Sequence, residues 1–145
     1  MKTVIEIHAP INVVWEALTT PALMSVWMSD EDIQIITDWE VGLPFIIRGR
    51  LHGIGFENKG TVLQYEHEKR LSYSHLSSLS RLPDLADSYS VVDFTLAPMM
   101  HHTSVTLDLS NFPTEVIRKH MEFYWGSALV SLKRFLENSP NKMWA

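Results

Sequence analysis

The stretch TEVIRKHMEFYWGSALVSLKRFLE, Thr114 to Glu137, is the one long helix the chain writes, and the other segments are cut to wrap around it. At about 100° per residue, Ile117, Met121, Tyr124, Trp125, Ala128, Leu129, Leu132, Phe135 and Leu136 share one stripe. Glu115, Lys119, Glu122, Lys133 and Glu137 fall behind it. So broad and aromatic a stripe suits a helix laid across a curved sheet, not the narrow seam of a helix pair. Pro113 precedes Thr114, whose side chain can cap the first turn, and Glu115 sets negative charge at the positive end of the helix dipole. Asn138, Ser139 and Pro140 stop the helix and leave Met143, Trp144 and Ala145 to a tail.

Upstream of this helix the pattern has period two from Leu43 onward, as expected of an antiparallel sheet with one wet face. Phe45, Ile47, Gly49 and Leu51 lie on one side of a strand, opposite Ile46, Arg48, Arg50 and His52. Gly53, Gly55 and Asn58 read as the following turn. Thr61 to His67 and Leu71 to Leu76 form a hairpin across Glu68, Lys69 and Arg70, with Leu71, Tyr73 and His75 pointing one way. Ser77 to Asp87 reads as the longest loop and the candidate lid. In the last hairpin Val92, Phe94 and Leu96 face Val105, Leu107 and Leu109.

The N-terminal third begins with a strand over Lys2 to His8, ended by Ala9 and Pro10. Pro10 opens a helix carrying Val13, Val14, Ala17 and Leu18 at helical spacing. Thr19, Thr20 and Pro21 break it, and a second short helix follows through Met24 and Trp27. Ile33 to Ile36 is a brief strand, and Asp38 to Pro44 a turn.

Composition bounds the partners. A chain of 145 residues, 46% hydrophobic, holds one complete core. Net charge is −5 and the twelve basic residues are dispersed, which gives neither nucleic acid nor an anionic membrane surface a docking patch. Phe123 to Leu132 is about half of the roughly 20 apolar residues a membrane span needs. Glu6 and His8 interrupt any signal-peptide run, and the absence of cysteine excludes disulfide and thiolate chemistry, in keeping with a cytoplasmic setting.

The order of elements resembles the START-like (SRPBCC) helix-grip superfamily, and within it the family named for activators of the heat-shock protein 90 ATPase. The likeness is carried by Ile5-Glu6-Ile7 with Ala9-Pro10, Val14-Trp15-Glu16-Ala17-Leu18-Thr19, and Pro21 and Met24 leading to Trp27. Gly60-Thr61-Val62-Leu63, Leu71-Ser72-Tyr73, Thr103-Ser104-Val105-Thr106-Leu107 and the helix with Trp125 and Leu132-Lys133 complete it. The resemblance implies an α+β helix-grip fold: a curved antiparallel sheet of about seven strands around the C-terminal helix, with two short helices after strand one. It implies a single START-like domain over residues 1–138 and a tail over 139–145. It also implies a binder of hydrophobic or amphipathic small molecules, lipids among them, or a stress-related module.

The chemistry-bearing residues are few. His67-Glu68 begins like a zinc-protease motif, but Leu71 stands where the second histidine belongs. His101 and His102 are adjacent and point to opposite faces, so no metal site and no cofactor are expected. Ser77, Ser78 and Ser80 lack a glycine-flanked elbow, and Gly53-Ile54-Gly55 lacks the helix a phosphate cradle requires. The polar residues expected on the concave face are Tyr73, His75, His120 and Tyr124, whose plainer reading is core aromatics with a rim histidine. Arg48, Arg50 and Asp93 are solvated outer charges or ligand contacts; Trp27 and Trp39 close the pocket ends or pack the small helices.

The leading expectation is a non-enzymatic module holding a small molecule between sheet and helix, lined by Trp27, Tyr73, His75, Phe94, His120, Tyr124 and Trp125. One alternative is a cyclase or hydratase with His75 or His120 as general base. Another is an interaction module with a chaperone partner, which requires an exposed apolar patch. A monomer or weak homodimer is expected.

Overall fold

The computed structural model describes residues 1–138, so the tail expected over 139–145 lies outside the described residues. The elements run β1 (Lys2–Ile7), α1 (Ile11–Thr19), α2 (Pro21–Met28), β2 (Ile33–Thr37), β3 (Pro44–Leu51), β4 (Ile54–Glu66), β5 (Arg70–Ser77), β6 (Ser90–Pro98), β7 (Thr103–Ser110) and α3 (Glu115–Glu137). Seven antiparallel strands form one sheet in the order β1-β7-β6-β5-β4-β3-β2. Only β1 crosses over, pairing with β7 from Lys2 opposite Asp108 to Ile7 opposite Thr103. This is the helix-grip fold.

Local chemistry sets the ends of the helices. Thr20 closes α1 by donating its N–H to Glu16 O at 2.9 Å and opens α2 by accepting from Met24 N at 2.8 Å, with Pro21 at the first helical position. The Thr114 hydroxyl accepts from Ile117 N at 3.1 Å and caps α3. Burial along α3 follows the stripe: Met121, Trp125, Ala128, Leu129, Leu132 and Leu136 are buried, Ile117 and Phe135 partly so, and Tyr124 sits at the edge.

The sheet meets that stripe with alternate residues. Leu71, Tyr73 and His75 of β5 stand opposite Phe94, Val92 and Ser90 of β6, and those three residues of β6 are buried. Phe94 in turn faces Leu107, and Leu96 faces Val105. The charged residues of β3 to β6 alternate with these and take the outer face. There Arg48 pairs with Glu57 at 2.7 Å, and Arg70 holds both oxygens of Asp93 at 3.2 and 2.7 Å.

Two segments differ from the expectation. The β3–β4 turn is His52–Gly53, both with positive φ (52° and 81°), as a two-residue hairpin demands. Gly55 and Asn58 lie inside β4, because the strand pairs with β3 without interruption from Ile54 to Thr61. A Cβ on Gly60 would stand 1.7 Å from Ser74 O, so glycine is required there by close backbone approach. The long loop contains two short 3-10 turns, Ser78–Ser80 and Ala86–Ser88. It is tied down where Asp84 bridges Lys59 Nζ and the Tyr89 hydroxyl, each at 2.5 Å.

Candidate functional site

The seven expected residues come from three directions. Tyr73 and His75 rise from β5, Phe94 from β6, His120, Tyr124 and Trp125 from α3, and Trp27 from α2. Trp125 joins three of the others: its ring centroid lies 5.6 Å from Phe94, 6.4 Å from Trp27 and 5.2 Å from Tyr124. Trp27 is buried and its indole N–H donates to Ala17 O at 2.8 Å, which fixes the ring against the end of α1. The Tyr124 hydroxyl donates to Met28 O at 2.7 Å and ties α3 to the last residue of α2.

Tyr73 is buried under an aromatic cluster, stacked on Phe45 at 4.1 Å and 6.5 Å from Trp39. Trp39 has φ of 54°, an unfavourable conformation for a bulky residue, held by its indole N–H donating to Thr19 O at 2.6 Å. Both tryptophans whose role the sequence leaves open therefore bond to carbonyls at the end of α1.

Electrostatics link the two sides of the space. Burial, with a smaller contribution from His120 on α3, holds the His75 imidazole down at about 4. Burial likewise pushes the Tyr124 phenol up to about 12 and raises that of Tyr73, with Tyr124 adding to the Tyr73 shift. His75 nonetheless keeps some accessible surface.

Two residues absent from the sequence-based set complete the site. Ser90, opposite His75, is buried, and its Oγ has no hydrogen-bond partner among the described residues. The buried Oδ1 of Asn58 is also unpartnered; Asn58 stands between Ile47 and Ser77 on the inner face. Gly60, the next inner position of β4, places no side chain beside His75. An unpaired buried polar atom costs about 1–3 kcal/mol, so each of the two calls for a partner from outside the protein, water or ligand. Ser90 was legible, since it alternates with Val92 and Phe94. Asn58 was not, because an Asn among glycines reads as a turn.

Arg48, Arg50 and Asp93 take no part in this space. Arg48 and Arg50 border a separate, open depression of about 460 Å³ at the tip of β3 and β4, with Phe56 and Glu57. Among the described residues, no three histidine or acidic side chains converge as metal ligands would.

A family model described as activator of Hsp90 ATPase homolog 1-like protein matches residues 8–137. The chain belongs to that family. This Hsp90-activator-like chain is 38% identical to the protein ChR145 from Cytophaga hutchinsonii, solved in solution, over 94% of this chain and 92% of that one, with a TM-score of 0.79. A crystal structure of the Mesorhizobium loti protein MLL2253 shares the fold at 24% identity and a TM-score of 0.75, over 96% and 98% of the two chains. So does the Aha1 dimer from Colwellia psychrerythraea, at 24% identity and 0.71 over 94% and 95%. No curated protein matches the chain. Among the described residues no helix is long and apolar enough to cross a membrane.

Proposed function

We propose that this Hsp90-activator-like chain is a binding module for an amphipathic small molecule. Its apolar body would lie against Phe94, Trp125 and Trp27, and its polar end would meet Tyr73, His75, Asn58 and Ser90, with His120 and Tyr124 at the rim. The observation that carries this reading is the pair of buried atoms without a partner among the described residues, Asn58 Oδ1 opposite Ser77 and Ser90 Oγ opposite His75. Apolar enclosure with a few convergent polar groups is the composition of small-molecule sites. Burial of the body supplies affinity, and the polar groups fix orientation.

The cyclase or hydratase alternative needs a base that takes a proton near neutral pH. An imidazole held at about 4 is a weak one, which favours binding over base catalysis at His75. A protein-partner reading has one observation in its favour: Val116, Phe123 and Val130 recur every seven residues on the outer side of α3, at 75%, 79% and 44% exposure. An ATPase assay with purified Hsp90 that records no stimulation would remove it.

Native mass spectrometry of the purified protein tests the leading reading. A small-molecule adduct that is lost on unfolding is expected, with quenching of tryptophan fluorescence when an aromatic probe is added. Absence of both overturns it.

A further inference from the structure

We infer that the polar end of the ligand is uncharged and donates a hydrogen bond: a hydroxyl or a primary amide, not a carboxylate or an ammonium group. This rests on the binding reading above and specifies its chemistry.

The inner-face polar residues on β4, β5 and β6 are Asn58, Tyr65, Tyr73, His75, Ser77 and Ser90, none with a formal charge outside the imidazole. The charged residues of these strands are on the outer face: Glu57 with Arg48 of β3 at 2.7 Å, Lys59 with Asp84 of the long loop at 2.5 Å, Arg70 with Asp93 at 2.7 Å, and Glu66, exposed, opposite Arg70. The first turn of α3 offers no anion site, since Thr114 caps it and Glu115 lies in it. A carboxylate entering this space would lose its water without gaining a cation, and an ammonium would find no anion. Either is strongly unfavourable, because a buried charge needs a counter-charge or full hydrogen bonding to replace its water.

The direction of the hydrogen bonds follows from the donor inventory. Asn58 Oδ1 can only accept, so its partner must carry an O–H or N–H. Ser90 Oγ both donates and accepts, as does the Tyr73 hydroxyl, which bonds to no protein group among the described residues. A ligand hydroxyl can donate to Asn58 Oδ1, or exchange hydrogen bonds with Ser90 Oγ, which stands two strands away on β6. A primary amide does the same with its NH₂ and carbonyl.

A matched probe series separates this from the binding reading itself: naphthylethanol, naphthylacetamide, naphthylacetate and naphthylmethylamine, with methylnaphthalene as the apolar reference. Each is titrated by tryptophan quenching at about pH 8. The alcohol and the amide are expected to bind at least about tenfold more tightly than the acetate and the amine, a difference of about 1.4 kcal/mol. Asn58→Leu and, as a second variant of minimal volume change, Ser90→Ala should weaken the alcohol several-fold and leave methylnaphthalene unchanged. Acetate binding equal to or tighter than the alcohol, with methylnaphthalene still bound, overturns the inference alone. Failure of every probe, methylnaphthalene included, overturns the binding reading and this inference with it.

Discussion

His75 shows how one side chain couples fold and site. Its ordinary pKa near 6.5 falls to about 4 because burial penalises the imidazolium, with His120 adding to the effect. The folded state therefore refuses a proton that the unfolded chain accepts. Unfolding takes up protons below about pH 6.5, so stability is full above that value and falls as the pH drops toward 4. The loss amounts to at most about 3 kcal/mol, at 1.36 kcal/mol per pKa unit. Urea midpoints at neutral and mildly acidic pH measure it, and His75→Gln should remove most of the dependence; an unchanged slope in that variant would assign it elsewhere. The placement of His75 and Tyr73 was readable from strict alternation with Leu71. The pressure on them was not, because it comes from β6 and α3, which are distant in sequence.

Among the elements α3 contributes most to the core, and its residues should not matter equally. Leu132 is fully buried, so Leu132→Ala removes contacts and leaves a cavity, at a cost of about 2–5 kcal/mol. Thr114→Ala removes one capping bond, at about 1 kcal/mol. Chemical denaturation of both variants checks the ranking, and equal losses would mean that the stripe packs less tightly than its burial indicates. Helix α3 and the β6–β7 hairpin were legible because one periodicity runs through each without a breaker. The start of β4 was not, since glycines and Asn58 signal a turn locally while pairing with β3 demands a strand. Tertiary pairing overrode local preference, and the polar half of the site went unseen with it.

At the scale of the whole molecule, the sheet order and its grip on α3 follow from six antiparallel strand pairings and one helix long enough to cover the apolar face. The ligand itself is not written in that order, because the space between the layers depends on which side chains fail to meet. The bond from the Tyr124 hydroxyl to Met28 O crosses from α3 to the end of α2, at a residue that is 37% exposed. Tyr124→Phe cuts this strap and leaves the aromatic ring in place. Stopped-flow quenching should then show entry and exit both faster, by about fivefold for a bond of about 1 kcal/mol, with little change in Kd. A changed Kd with unaltered rates would make the tyrosine a contact and not a strap. If the strap governs passage, the time a guest stays inside is set by how often two helices part, and residence becomes a property of the door more than of the room.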